Sequence, residues 1–397
     1  MRLRFIQLEL REINIPFRFS FKHSLAERRQ AKNLILALHT DQGLVGYGEV
    51  IPRRYLSGET ITSAWEDITT RWWPAVRDLR LAAATSPYAE LRPLWEWASQ
   101  DRRTGSYAGI DLAVWDAWAR VARRPGYSLF GQPRPLALPL TGPLGATSLR
   151  SLWRTANLMK FLGFVEYKLK VGNGQDLLAV QTLRRIIGPR CDLRVDANAG
   201  WQVEQAIAMA RELQQYGVSS VEQPIAADNV QDLARVQREG GLPVVADESL
   251  CTLADAQLLL EARAADIWNL RLAKIGGFTG FLEMLRLAGY PLPPACQGRA
   301  INGAAGQPPP YRPKIHLGVL VGETSLISAA ARACLGLCPL VHVEYGYPRV
   351  LLKMDPFHGD PGGYSGTAKP LGEAHGLGVA PKQHLLARLT VRHEILE

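Results

Sequence analysis

Five charged residues recur at intervals of 25 to 27 positions along the middle of this 397-residue chain: Lys170, Asp196, Glu222, Asp247 and Lys274. Each closes a β-rich run, in KLK, LRVD, SSVE, VVAD and LRLAK. The interval is that of one strand-helix unit, and a barrel gathers its functional groups at the C-terminal ends of parallel strands. Three carboxylates converging from three adjacent strands cannot all stay ionised without a cation among them. A ligand set of oxygens, with neither His nor Cys, selects a hard divalent ion, most simply Mg²⁺ with Mn²⁺ as a substitute. One acidic residue at a strand end is usually a helix cap or a surface charge. Three in register argue otherwise. In Lys168-Leu169-Lys170 the strand period puts both ammonium groups on one face, and their repulsion should lower the pKa of one so that it serves as a general base. Lys274, four strands further on, approaches from the opposite side, so the set reads as a two-sided acid/base site.

The elements that must position these residues are legible in the surrounding pattern. Residues 1–60 alternate polar and apolar positions as antiparallel strands, with Asp41-Gln42-Gly43 as hairpin turn chemistry. From about Thr60 the pattern turns helical, clearest where Ile110, Val114, Trp118 and Val121 recur on one face; Trp115 and Trp118 read as core. An α+β domain over residues 1–130 is therefore expected. Beyond it, LALPL, VEYKLKV, DLRVDA, SSVEQP, PVVADE, IWNLRLAK, KIHLGVLVG and PLVHVEYG alternate with amphipathic helices. Eight such strands predict an α/β fold, a (β/α)₈ barrel over 131–348. Residues 289–314, with seven prolines, read as an inserted loop, and the segment 349–397 is expected to pack back on the first domain.

Composition excludes other classes. A hydrophobic fraction of 47% with 21% charged residues rules out disorder, collagen and coiled coil. No apolar run approaches the roughly 18 residues of a membrane helix. The net charge of +9 is spread along the chain rather than gathered in a basic tract, so it reads as solvated surface and not as a nucleic-acid site. Five scattered cysteines match neither a disulfide framework nor a metal spacing. The expectation is a soluble, cytoplasmic enzyme with a small carboxylate as partner, with no nucleic-acid or membrane partner, and with a homo-oligomer left open.

The motifs YKLKVG, RVDANAGW, VEQP, ADES and AKIGG, supported by LVGETS and RYLSGET, resemble the enolase superfamily. Within it the resemblance is to the muconate-lactonizing subgroup of cycloisomerases, o-succinylbenzoate synthases and dipeptide epimerases, and it runs from residue 1 to about 350. It implies a capping domain over the barrel mouth, Mg²⁺ on Asp196, Glu222 and Asp247, and a base at Lys170 tuned by Lys168. It further implies a second catalyst at Lys274, with Asn198 and Glu323 in support. The implied chemistry is removal of a proton α to a metal-bound carboxylate, through an enediolate, leading to cycloisomerisation or to racemisation and epimerisation.

Departures from the subgroup bear on the substrate. Dipeptide epimerases usually carry Asp-x-Asp at the eighth strand, where this chain has Val343-Glu344-Tyr345-Gly346, and Arg271 stands where many relatives have a further lysine. Position alone offers Phe19 and His23 in the first capping loop and Arg53 and Tyr55 in the second as substrate contacts, each equally readable as loop surface. The alternatives to cycloisomerase-like chemistry are a dipeptide epimerase or o-succinylbenzoate synthase-like enzyme, a sugar-acid dehydratase, and a non-catalytic ligand-binding relative.

Overall fold

The structure, a computed structural model, describes residues 2–397 except 24, 25, 146, 147, 173, 298–310 and 360–364; of residues 20–23, 26 and 27 it describes the backbone but not the side chains. The N-terminal layer is an antiparallel sheet of β1 (Phe5–His23), β2 (Ala26–Thr40) and β3 (Val45–Val50). Against it packs the helix Thr104–Val121, buried along most of its length, with Trp115 and Trp118 fully enclosed. The stretch read as a first capping loop is instead the far end of a long ribbon, because β1 and β2 keep pairing out to His23 and Ala26. The turn at residues 40–44 closes the other hairpin, with Gly43 at φ 72°.

Eight parallel strands follow in sequential order: β4 (Thr141–Leu144), β5 (Glu166–Lys170), β6 (Asp192–Asp196), β7 (Val221–Glu222), β8 (Val244–Ala246), β9 (Ile267–Leu270), β10 (Lys314–Leu317) and β11 (Leu340–Val343). They form a nearly closed barrel with helices between successive strands. The ladder ends at β4 and β11, and β4 carries Pro143, which lacks an N–H and suits a strand paired on one side only. The Tyr347 hydroxyl, donating to the Thr141 carbonyl at 3.3 Å, bridges that seam. A strand expected at LALPL lies a few residues later. Leu138–Pro139 pair with Thr367–Ala368 of the tail, and Thr141–Leu144 enter the barrel. The final strand β12 (Thr390–Leu396) pairs with β1, joining the C-terminal segment to the first sheet. Of the proline-rich stretch, residues 298–310 lie outside the described residues.

The strand period makes the barrel interior charged rather than aliphatic. On β5 the even positions Glu166, Lys168 and Lys170 pair in register with Asp192, Arg194 and Asp196 of β6, whereas Tyr167, Leu169, Leu193 and Val195 are fully buried in the hydrophobic core.

The capping layer grips the barrel at two points. Asp111, in the middle of the Thr104–Val121 helix, accepts from the backbone N–H groups of Phe278 and Thr279 and so caps the helix Gly277–Leu287. Gly276 and Gly277 hold φ of 90° and 71°, and a Cβ on Gly277 would lie 2.3 Å from Asp111 Oδ2, so both glycines are required for this approach. At the second point Glu49 of β3 receives Asn33 Nδ2 at 2.6 Å and the Thr324 hydroxyl at 2.6 Å, from the loop after β10. Burial raises the Glu49 pKa to about 7, against the lowering effect of those hydrogen bonds.

The folded state therefore binds a proton at Glu49 that the unfolded chain, with an ordinary value of 4.5, has already released. The stability this residue contributes is present at low pH and falls as pH rises from about 4.5 to about 7, by up to about 1.4 kcal/mol per pH unit. Urea denaturation at pH 5 and pH 7 should show a smaller drop for Glu49→Gln than for the parent chain. An unchanged drop would show that Glu49 does not carry it.

Candidate active site

At the C-terminal end of the barrel strands β5 to β9 and β11 deliver charged groups, two of them from β5, and cations and carboxylates interleave. Lys168 lies 3.0 Å from Glu222 Oε2, 3.4 Å from Asp196 Oδ2 and 2.5 Å from Glu344 Oε1. Lys170 donates to Asp196 Oδ2 at 2.9 Å and to Asn198 Oδ1 at 2.5 Å. Arg271 Nη2 sits 3.1 Å from Glu222 Oε1 and 2.7 Å from Asp247 Oδ2. Glu222 also receives Asn269 Nδ2 at 2.8 Å. Asp196 and Asp247 are fully buried and Glu222 nearly so.

Lys274 is placed differently from expectation. It lies not at the end of a strand but in the one-turn helix Leu272–Ile275. Its ammonium donates to the Asp247 carbonyl at 2.7 Å, to Asp247 Oδ1 at 2.9 Å and to the Asn269 carbonyl at 2.9 Å, and its side chain has no exposure. Thr104 Oγ, from the capping helix, holds the Lys274 carbonyl at 2.8 Å, and Trp95 Nε1 holds that of Ile275 at 2.8 Å. Glu323, expected in a supporting role, lies in the loop after β10 and accepts the Leu320 N–H at 2.5 Å.

These contacts set the charge states. Burial works against the Lys168 ammonium, but Glu222, Glu344 and Asp196 overcome it and raise its pKa. Lys168 is thus raised by its carboxylate partners rather than lowered by the second lysine. Burial also opposes ionisation of Glu222 and Asp247, yet Lys168 holds the first, and Arg271 and Lys274 the second, below the usual range. Glu344 is held well below it by Lys168 and His316, which outweigh its burial. Burial of His316 pulls its pKa down to about 4. Glu248 and Glu323 go the other way, burial pushing Glu248 up to about 8 and Glu323 well above normal.

A divalent cation fits this set on two grounds. The donors are oxygens, and buried carboxylate oxygens stand without hydrogen bonds: Glu248 Oε2, and Asp247 Oδ2, which has Arg271 beside it but receives no bond of acceptable angle. Six carboxyls, of Asp196, Glu222, Asp247, Glu248, Glu323 and Glu344, share the region with four cations, Lys168, Lys170, Arg271 and Lys274. Burial favours the protonated forms of Glu248 and Glu323, and one divalent ion would supply the two positive charges that their ionisation requires. Among the described residues, the group of His, Cys, Asp and Glu donors whose ligand atoms lie within 4.8 Å of one another is a different one, Glu166, Asp192 and His342. It lies lower in the barrel, where Glu166 and Asp192 begin their strands, and Arg194 already compensates it at 3.2 Å from Asp192. Resident cations sit beside the carboxylates of both groups, Arg194 in this one and Lys168, Arg271 and Lys274 at the strand ends above.

Of the residues singled out by position, Phe19 is half exposed and the His23 side chain lies outside the described residues. Arg53 is buried, donating to the Pro52 and Val321 carbonyls at 3.0 and 2.6 Å, with Tyr55 beside it; it ties the second capping segment to the barrel. The sequence reading overlooked Glu248, Asn269 and Gln223. Gln223 Oε1 accepts the N–H groups of Asp247 and Ser249 and shapes the turn after β8. The signal was present, since Glu248 adjoins Asp247 in ADES and Gln223 adjoins Glu222 in VEQP. Asn198, Ala199 and Gln223 hold positive φ of 43°, 59° and 35°, backbone strain of the kind that collects at functional sites.

A capped barrel whose strand ends carry paired lysines on one side, a cation on the other and buried carboxylates between them holds the groups of an acid/base site. The enolase C-terminal domain-like family model matches residues 153–385, and the chain belongs to that family, within the enolase superfamily; it is an enzyme of the isomerase and lyase type. It is 27% identical over 383 residues to the L-Ala-D/L-Glu epimerase of Bacillus subtilis strain 168, covering 95% of this chain and 97% of that protein. Over 381 residues it is 27% identical to the hydrophobic dipeptide epimerase of Enterococcus faecalis, covering 94% and 99%. The crystal structure of N-succinyl Arg/Lys racemase from Bacillus cereus superposes over all of both chains with a TM-score of 0.84 at 23% identity, which shows a shared fold.

Metal binding to the folded state should appear as stabilisation. Mg²⁺ at one hundred times its dissociation constant should add about 2.7 kcal/mol to the unfolding free energy. Asp247→Asn should lose most of that increment in a thermal scan. Equal stabilisation of parent and variant would remove Asp247 from the metal site.

Proposed function

We propose that this protein removes the proton α to the carboxylate of a small organic acid, with Lys170 as the base and Asp196, Glu222 and Asp247 holding Mg²⁺. The ion, when bound, would take the substrate carboxylate and stabilise the negative charge of the enediolate. Lys170 is the observation that carries this reading. It is the most exposed ammonium of the four cations at the strand ends, with about a fifth of its side chain accessible, and Asp196 and Asn198 aim it. Lys168 stays charged behind it and compensates Glu222 and Glu344. Asn198 orients Lys170 and reaches Glu248 at 3.4 Å, while Glu323 supports the opposite rim.

The similarity to epimerases and racemases supports removal of the α-proton as the first step of the reaction. A dipeptide with a free ammonium is the less favoured substrate here. Glu344, the residue placed to receive that ammonium, is already committed to Lys168 and lies 3.5 Å from His316. An N-acylated amino acid, or another small acid without a free amine, fits better. We place the reaction in the cytoplasm, a reading supported by five free cysteines and by the lack of any helix, among the described residues, long and apolar enough to cross a membrane.

Incubation with Mg²⁺ in heavy water against N-succinyl amino acids, dipeptides, muconate-type acids and sugar acids should show loss of the α-proton by NMR. Lys170→Met should slow that exchange by about 10²–10⁴-fold. Exchange restricted to sugar acids would favour dehydration, and metal binding without exchange for any acid would favour a binding role.

A further inference from the structure

Which group stands across the site from Lys170 follows from strand parity. On β9 Asn269 points into the barrel, where its amide reaches Glu222. The period of two places Arg271, the next residue after the strand, on the same inward face, whereas Lys274 lies beyond it in the Leu272–Ile275 turn. The contacts agree. Arg271 Nη2 lies between Glu222 and Asp247, and its Nε, buried, has no hydrogen-bond partner. Lys274 has spent its three N–H donors on two backbone carbonyls and one carboxylate, and none of its side chain is exposed. An ammonium has three donors, so Lys274 has nothing left to offer a ligand.

Resting on the proposed function and extending it, we infer that Arg271, not Lys274, forms the wall of the active site opposite Lys170, so that the enzyme exchanges protons with its substrate on one face only. A guanidinium is a fork of five donors with no acceptor, so it can hold a carboxylate or an enediolate oxygen but cannot take a proton from carbon. In the forward step the Cα–H bond breaks, the proton passes to the lone pair of Lys170 Nζ, and the electron pair enters the enediolate. In the return step the same Nζ gives the proton back to the same face. Direct inversion would need a second proton carrier on the far face, and the arginine there supplies none. Configuration is therefore kept on each exchange, and net turnover requires loss or migration of a neighbouring group from the enediolate. The buried Nε of Arg271 is the donor free to meet an oxygen of that intermediate. Lys274 is a structural residue that ties the Leu272–Ile275 turn, and through Thr104 the capping helix, to the end of β8.

Two measurements test this, one of which needs no substrate. In heavy water with Mg²⁺, N-succinyl amino acids and dipeptides of both configurations should exchange the α-proton from one configuration only, and chiral chromatography should recover that configuration unchanged. Arg271→Lys, which puts an amine on the far face, should convert the same compound into a racemising substrate. Trace acetylation of the native protein followed by peptide mass spectrometry should label Lys170, with protection by Mg²⁺, and should leave Lys274 unlabelled until the chain is unfolded. Inverted product carrying deuterium from the parent enzyme would overturn the inference, as would native labelling of Lys274 that Mg²⁺ suppresses. A panel without any exchange counts against the proposed function, and the labelling then decides this inference by itself.

Discussion

Charge compensation inside the barrel is the constraint on which the rest of the structure depends. A carboxylate removed from water without a partner costs several kcal/mol, and this interior holds many. The fold meets the cost by alternation. Register sets Glu166, Lys168 and Lys170 beside Asp192, Arg194 and Asp196, so cations and carboxylates of these two strands meet at 2.9 to 3.4 Å. At the bottom of the barrel one guanidinium, that of Arg194, provides compensation among Thr141, Glu166 and Asp192. At the top it falls short. Two carboxyls there, of Glu248 and Glu323, are driven toward the protonated form by burial, and this unfinished balance is what makes the mouth a place for a divalent ion.

The capping layer acts on the same region through backbone groups. Asp111 caps the helix that follows the Lys274 turn, Thr104 and Trp95 hold the carbonyls of that turn, and Glu59 accepts the N–H groups of Gly105 and Ser106 at the start of the capping helix itself. These are caps given by one layer to helices of another, so the position of the sixth strand end is set by the first domain as much as by the barrel. This accounts for two motifs, RYLSGET and AKIGG. Glu59 serves as a cap, and the paired glycines admit the Trp95 ring and Asp111 at distances no side chain would allow.

Membership in a superfamily of shared first steps and divergent outcomes makes the far wall of the site the informative part. Relatives at about a quarter identity carry names of epimerases and racemases, reactions in which configuration changes. This chain keeps the paired lysines of one wall and presents an arginine on the other. The difference between an ammonium and a guanidinium, small in charge and large in proton chemistry, separates a shared scaffold from a shared reaction.

The eight-strand barrel, the capping domain, and the set Lys168, Lys170, Asp196, Glu222 and Asp247 were legible in the sequence, because each rests on a local period: two along a strand, and one strand-helix unit between strand ends. Position in a motif could not tell whether Lys274 ended a strand or began a helix, since LRLAK suits both; three hydrogen bonds from other elements decide it. Nor could it show that the PFRFSFKHSLA stretch continues a ribbon, that Arg53 is spent on carbonyls, or that Lys168 is raised rather than lowered. Those outcomes depend on which charges and carbonyls come within about 3 Å across strands distant in sequence. A linear pattern records which groups a chain owns, and only the closed barrel determines which of them are left unspent.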